Sequence, residues 1–145
     1  AKIVYEALFY PAKKIAEIAK HKNVSLLFNP SLYLAKKGKS YLQPILDAAK
    51  ILVLNLEEAQ ALLNYKNSIN PKSSYFKELL FALNALGPQT VVITNGSKKM
   101  YALYHHQIYS LLPPKVKIIH TAGAGDAFTA GMLSAIIKST ILKRH

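Results

Sequence analysis

Hydrophobic positions along the chain switch repeatedly between a helical rhythm and a strand-like one. Pro11 followed by "AKKIAEIAKHK" predicts a helix with proline in its first turn and Ile15, Ile18 and Ala19 on one face. "VSLLFNP" (24–30) follows as a buried strand closed by Asn29 and Pro30. A second helix is predicted near Ser40 to Lys50. It leads into "ILVLN" (51–55), a continuous apolar run of the kind found in parallel strands covered on both faces. "LEEAQALLNY" (56–65) predicts a helix with glutamates in its first turn, where the macrodipole favours them. Residues 64–74, polar and interrupted by Pro71, predict a loop. "YFKELLFALNALG" (75–87) predicts a helix ended by Gly87. "TVVITNGSKKMYALYHHQIYSLLP" (90–113) predicts three short strands, the first pair turned at Asn95-Gly96. After Pro113-Pro114, "KVKIIH" (115–120) predicts one more strand, and a glycine-rich stretch opens a last helix.

Strands alternating with helices predict an α/β fold, a mostly parallel sheet with helices on both faces and right-handed crossovers. No repeat, low-complexity tract or linker divides residues 1–145, which read as one domain or part of one. The chain lacks an initiator methionine and stops soon after a helical run, which leads us to expect a piece of something longer.

Composition narrows the function. Of 145 residues, 51% are hydrophobic, enough to bury a core. Nineteen basic residues against seven acidic give a net charge of +12, and Arg144 is the only arginine. The lysines are scattered in pairs and short groups, with no run of the length that marks a basic arm. Base and phosphate recognition by nucleic-acid binders favours the arginine fork, so a solvated lysine surface is the preferred reading over a nucleic-acid-binding domain. Attraction of a small anion fits the same charge. With no cysteine there is neither a disulfide nor a thiolate metal site, and the five histidines lack ligand spacing. The longest apolar run, Ala127 to Ile137, is too short to span a bilayer. A cytoplasmic location with no membrane partner is therefore expected.

In open α/β sheets the ligand crevice lies beyond the carboxyl ends of the strands. Three candidate groups fall at such ends: Asn55 with Glu58, Thr94 to Lys99, and Thr121 to Asp126. The last belongs to "IIHTAGAGDAFTAG" (118–131), which holds three of the six glycines and one of two aspartates. Glycines before a helix let successive backbone N–H groups converge, and the helix N-terminus adds positive charge; together these suit a phosphate. Asp126 can cap that helix, or take a proton from a nucleophile beside the phosphate. Spacing alone leaves a glycine turn with an aspartate cap as good a reading as a phosphate cradle. The dinucleotide fingerprint fails at Phe128, and the Gly-Lys-Ser/Thr of a P-loop is absent.

"HTAGAGDAFTAG" resembles the C-terminal signature of the ribokinase (PfkB) family of carbohydrate kinases, D-T-x-G-A-G-D-x-F, at all but its first residue. "ILVLNLEEAQALL" resembles the family's N-x-x-E segment through Asn55 and Glu58. "VVITNGSKK" resembles its T-x-G-x-x-G nucleotide loop through Thr94 and Gly96, and "VSLLFNPS" its strand ending in Asn-Pro. The resemblance runs over nearly the whole chain, which corresponds to the C-terminal half of a typical member and lacks the N-terminal half and its β lid.

The resemblance implies a ribokinase-like fold and ATP-dependent phosphotransfer to a primary hydroxyl of a sugar, nucleoside or related alcohol. Asp126 is then the general base. Gly123 and the N–H groups of Ala124, Gly125 and Asp126 form the anion hole. Asn55, Thr94, Asn95, Gly96, Ser97 and Lys99 border the nucleotide's phosphates, and Glu58 acts on Mg²⁺ through water. His120 stands where the family has aspartate, in a position resembling part of a monovalent-cation site, which argues against K⁺ activation because hard cations prefer oxygen. Ala122 lacks a hydroxyl that some relatives carry, and Lys99 replaces the loop's last glycine. Most sugar contacts belong to the missing half, so a partner chain supplying it, or a homo-oligomer, would complete the sheet. A nucleotide-binding module without catalysis is the alternative reading.

Overall fold

Three of the apolar runs pair side by side in parallel, because each connection between them carries a helix long enough to return the chain to the same edge. The computed structural model describes residues 2–66, 71–115 and 123–142. Within the unit Ala1–Pro113, β1 (Leu26–Phe28), β2 (Ala49–Asn55) and β3 (Thr90–Thr94) form the parallel part of a five-stranded sheet. The strands β4 (Met100–Tyr104) and β5 (Gln107–Leu111) extend it as an antiparallel hairpin, so spatial order follows chain order. The helices of this unit are α1 (Lys2–His21), α2 (Leu32–Ala35), α3 (Lys39–Leu46), α4 (Leu56–Leu63) and α5 (Ser73–Asn84). The unit Pro114–His145 holds α6 (Ala124–Leu142).

Side-chain alternation places Leu52 and Leu54 of β2 with Val91 and Ile93 of β3 in one core. Helix periodicity brings Phe76, Leu79, Leu80 and Leu83 of α5 onto that core, with Leu42 and Leu46 of α3 and Ala59 and Leu62 of α4. The Phe76 ring stacks on Tyr101 of β4, with centroids 4.3 Å apart.

Four local readings of the sequence change. The helix expected to start at Pro11 begins instead at Lys2, and Pro11 lies inside it. The missing proline N–H removes one bond of the ladder without ending a long helix. Among the described side chains of α1, from Pro11 on, the buried residues are Ala16 and Ala19, while Ile15 and Ile18 are 56% and 52% exposed. Small side chains fit where the helix comes close to its neighbours; the isoleucines flank that line. The helix near Ser40 to Lys50 ends at Leu46, and β2 begins at Ala49. Finally, a one-turn helix, α2, follows β1, its N-terminus capped by Ser31, whose hydroxyl accepts from Leu34 N–H.

The first hairpin does turn through Asn95 and Gly96, but by a longer connection than a two-residue turn. Asn95-Gly96 does not form a two-residue turn: β3 and β4 are joined through residues 95–99, where Lys98 N–H donates to Asn95 C=O. The tight turn is His105-His106, between the paired residues Tyr104 and Gln107, with φ of +47° and +62°. Two left-handed residues match the type I′ turn that the strand twist selects, normally filled by Asn-Gly. Histidine carries a Cβ there and holds that conformation at a cost. Replacing His106 by Gly is expected to raise stability by about 0.5–1 kcal/mol, read as a higher midpoint in urea unfolding. The predicted strand at 115–120 and part of the loop at 64–74 lie outside the described residues.

Candidate functional site

The carboxyl ends of β2 and β3 meet at a registered pair, Asn55 opposite Thr94. Here the sheet's backbone ladder stops and α4 begins, so the end residues must serve both strand and helix. Asn55 does so as the N-cap of α4. Its Oδ1 accepts from Glu58 N–H at 2.8 Å, and its own N–H donates to Glu58 Oε2 at 2.8 Å. This reciprocal pair is a capping box, which satisfies two backbone donors that the helix start would leave open. Glu57 and Glu58 both sit in the first turn, where the helix dipole stabilises carboxylates.

Thr94 directs its hydroxyl back into the sheet, donating to Leu54 C=O at 3.4 Å. The segment after it, Asn95 to Lys99, leaves the sheet at the same edge. Gly96 has φ +55° while Ser97 does not share the left-handed region, as in a turn whose first central residue is glycine. Gly96, Ser97 and Lys99 are exposed and Asn95 is half-buried. Thus Asn55, Glu58, Thr94 and the 95–99 loop, far apart in sequence, are brought to one edge of the parallel strands. The five-residue connection excludes Asn95-Gly96 as a two-residue type I′ turn.

The glycine-rich stretch belongs to the other unit. Gly123, at φ +78°, precedes α6, and its C=O accepts the helix's first bond, from Ala127 N–H at 2.9 Å. That bond fixes the helical positions: Ala124, Gly125 and Asp126 form the first turn, and their N–H groups have no acceptor within the helix. Three donors and the positive end of a helix dipole therefore share a turn with one carboxylate. Gly125 C=O accepts from the Thr129 hydroxyl at 2.9 Å. His120, Thr121 and Ala122 lie outside the described residues.

Two clefts occur at the opposite, amino edge of the sheet. One of about 260 Å³ is lined by Lys20, Asn23, Lys50 and Gln89, and one of about 380 Å³ by Asn84, Tyr104, His105 and His106. Neither is lined by a candidate site residue. Among the described residues no three His, Asp or Glu side chains group as metal ligands, and no helix is long and apolar enough to cross a membrane. The site residue pattern gave no hint that Asn55 and Glu58 bond to each other; the spacing of a capping box, a capping residue with Glu three positions on, was the available signal.

Comparison with known proteins gives the same direction. The sequence model of the pfkB family carbohydrate kinases matches residues 11–144. The ribokinase of Staphylococcus aureus is 30% identical over 127 residues, which make up 85% of this chain and 38% of that enzyme. The tagatose-6-phosphate kinase of Staphylococcus epidermidis is 25% identical over the same length and shares. Among solved structures, Arabidopsis thaliana ribokinase with ribose and ATP superposes with a TM-score of 0.70 at 20% identity, covering 88% of this chain and 39% of that one. At that identity the likeness speaks for the fold. The chain spans well under half the length of these relatives.

Proposed function

Because the chain belongs to the pfkB family of carbohydrate kinases, we propose that it carries the nucleotide-binding and phosphotransfer part of an ATP-dependent kinase. The acceptor is a primary hydroxyl of a sugar, nucleoside or related alcohol. The observation that carries this reading is the first turn of α6, where three backbone donors without a helical acceptor accompany Asp126. Phosphoryl transfer needs little covalent help from a protein and relies on positioning and charge. The acceptor's O–H bond breaks as its oxygen bonds to the γ-phosphorus, the proton passes to the Asp126 carboxylate, and the bond from that phosphorus to the bridging oxygen breaks so that ADP leaves. The N–H groups of Ala124, Gly125 and Asp126 donate to the charge that develops on the transferred group; one such donor is typically worth about 10²–10³ in rate. Gly123 sets the backbone path into that turn.

Asn55, Thr94, Asn95, Gly96, Ser97 and Lys99 are assigned to the nucleotide's phosphates, and Glu58 to Mg²⁺. The donors suit that ion: Glu58 offers hard carboxylate oxygens, and Mg²⁺ keeps most of its water shell. A carboxylate accepts along about four lone-pair directions, so capping a helix and holding a hydrated cation are compatible in one side chain. Bound Mg²⁺ would supply charge neutralisation on the phosphates.

The two duties of Glu58 can be separated. Glutamine at the third helical position still completes a capping box, so Glu58→Gln is expected to cost less than about 0.5 kcal/mol of stability. It should nevertheless remove most of the rise in melting temperature that Mg²⁺ adds to ATP. Asn55→Ala loses the cap and is expected to cost about 1–2 kcal/mol with or without nucleotide. For wild type, MgATP at 100 times its dissociation constant would stabilise by about 2.7 kcal/mol. No MgATP-dependent shift in the wild-type chain, or an undiminished Mg²⁺ effect in Glu58→Gln, would overturn the assignment.

A further inference from the structure

The outer edge of the sheet at β5 combines three properties that rarely coexist in a monomer. First, among the described residues no strand pairs with it. Second, it carries none of the usual guards against pairing. From Met100 to Leu112 there is no Lys, Arg, Asp, Glu or Pro, in a chain of net charge +12. Third, its exposed face carries two large side chains, Tyr109 at 51% and Leu111 at 64% exposure, beside Gln107, whose Oε1 accepts from the Tyr109 hydroxyl at 2.8 Å.

The register determines what this edge offers. Tyr104 and Gln107 flank the two-residue turn and exchange hydrogen bonds, so Ala102–Tyr109 and Met100–Leu111 are also bonded pairs. The N–H and C=O groups of Ile108 and Ser110 therefore point away from β4, toward the open edge. An antiparallel copy of the same strand would satisfy these groups. In an antiparallel pair of two β5 strands about a two-fold axis, Ile108 of each copy exchanges bonds with Ser110 of the other. Tyr109 then lies directly opposite Tyr109 of the second copy in a non-bonded pair, where side chains come closest and aromatic pairs are favoured. Leu111 faces Gln107 of the second copy on the same surface. Neither strand of this pair carries charge.

We propose that the β5 edge is a self-association site, through which two copies of this chain join their sheets by antiparallel pairing centred on Tyr109. The contact is isologous, as closed two-fold dimers require.

The test uses the whole chain and sedimentation across a concentration series. The wild-type chain is expected to dimerise. Ser110→Pro removes an outward donor and leaves the β4–β5 ladder intact, because that N–H does not enter it; prolines are tolerated on such an edge. Tyr109→Lys sets two like charges directly opposite each other. Each is expected to weaken the dimer at least about 10-fold while the melting temperature measured at monomer concentrations stays near wild type. The chain has no cysteine, so register can be read chemically. Under mild oxidation Tyr109→Cys should link into a covalent dimer, since opposed residues in a non-bonded pair fall within disulfide reach. Gln107→Cys should not, because the two sulfurs would start roughly 13 Å apart along the strands. A chain that stays monomeric at every concentration would overturn the proposal. So would a dimer that neither variant weakens, or equal cross-linking at the two positions.

Discussion

Asp126→Asn is expected to lower turnover of the full kinase by about 10²–10⁴-fold while MgATP binding stays within about 2-fold of wild type. Asparagine keeps the size of the side chain and its ability to sit in the first turn of α6, but its amide cannot receive a proton at neutral pH. On the proposed mechanism the loss should fall on kcat, because Asp126 is assigned to the acceptor's proton and not to the nucleotide. Steady-state assay of ADP release, with nucleotide binding measured separately by calorimetry, separates the two effects. Normal turnover in the variant would remove Asp126 from the mechanism. Retained nucleotide binding with no turnover in wild type as well would favour the reading as a binding module without catalysis.

Gly87→Ala is expected to destabilise the fold by about 2–4 kcal/mol, a fall of roughly 10 °C in melting temperature. Gly87 has φ +133°, a backbone region that other residues avoid, and an added Cβ would lie 2.8 Å from Leu46 O. That oxygen belongs to backbone that cannot swing aside. The surrounding connection is fastened at several points: Gln43 Nε2 donates to Leu86 C=O at 2.8 Å and to Asp47 Oδ1 at 2.6 Å. Asn84 Nδ2 donates to Pro88 C=O at 2.7 Å. Immediately afterwards Gln89 N–H donates to Lys50 C=O and opens the β2–β3 ladder. A shift at Gly87 would therefore reach the register of the two strands that end at Asn55 and Thr94. Gly38→Ala is the matching control. Its φ is +82°, but nothing lies within 4 Å of the added carbon, so it should cost only the backbone strain, about 1 kcal/mol. Thermal unfolding of both variants checks the difference; equal costs would mean that close approach to Leu46 is not what Gly87 provides.

The sheet's parallel core was legible because its strands are unbroken apolar runs bounded by helices with clear faces. Leu52, Leu54, Val91 and Ile93, with the Phe76–Leu83 face of α5, repeat at the spacing their elements require. What the sequence concealed were features decided by tertiary fit. Gly87 reads as a helix stop, yet its necessity comes from Leu46, forty-one residues earlier in the chain and adjacent only after folding. Asn95-Gly96 is the dipeptide a tight hairpin favours, yet the tight turn formed at His105-His106, where the β4–β5 register left two residues to close it. Ile15 and Ile18 follow helical spacing, but Ala16 and Ala19 face inward because a close neighbour excludes larger side chains. At the candidate site, strand-end position identified the Asn55–Thr94 edge from pattern alone. The role of each residue there came through resemblance to a family, since a capping box and a phosphate site use the same residue types.

That overlap bears on how such chains are recognised. Asn55 and Glu58 hold each other by two 2.8 Å bonds whether or not a nucleotide ever binds, so helix folding alone is reason to keep them. A relative that had abandoned chemistry would still be expected to display N-x-x-E. When members of this family are screened for lost activity, an intact N-x-x-E therefore carries little diagnostic weight, and on the proposed mechanism the residue to inspect is the aspartate in the first turn of α6.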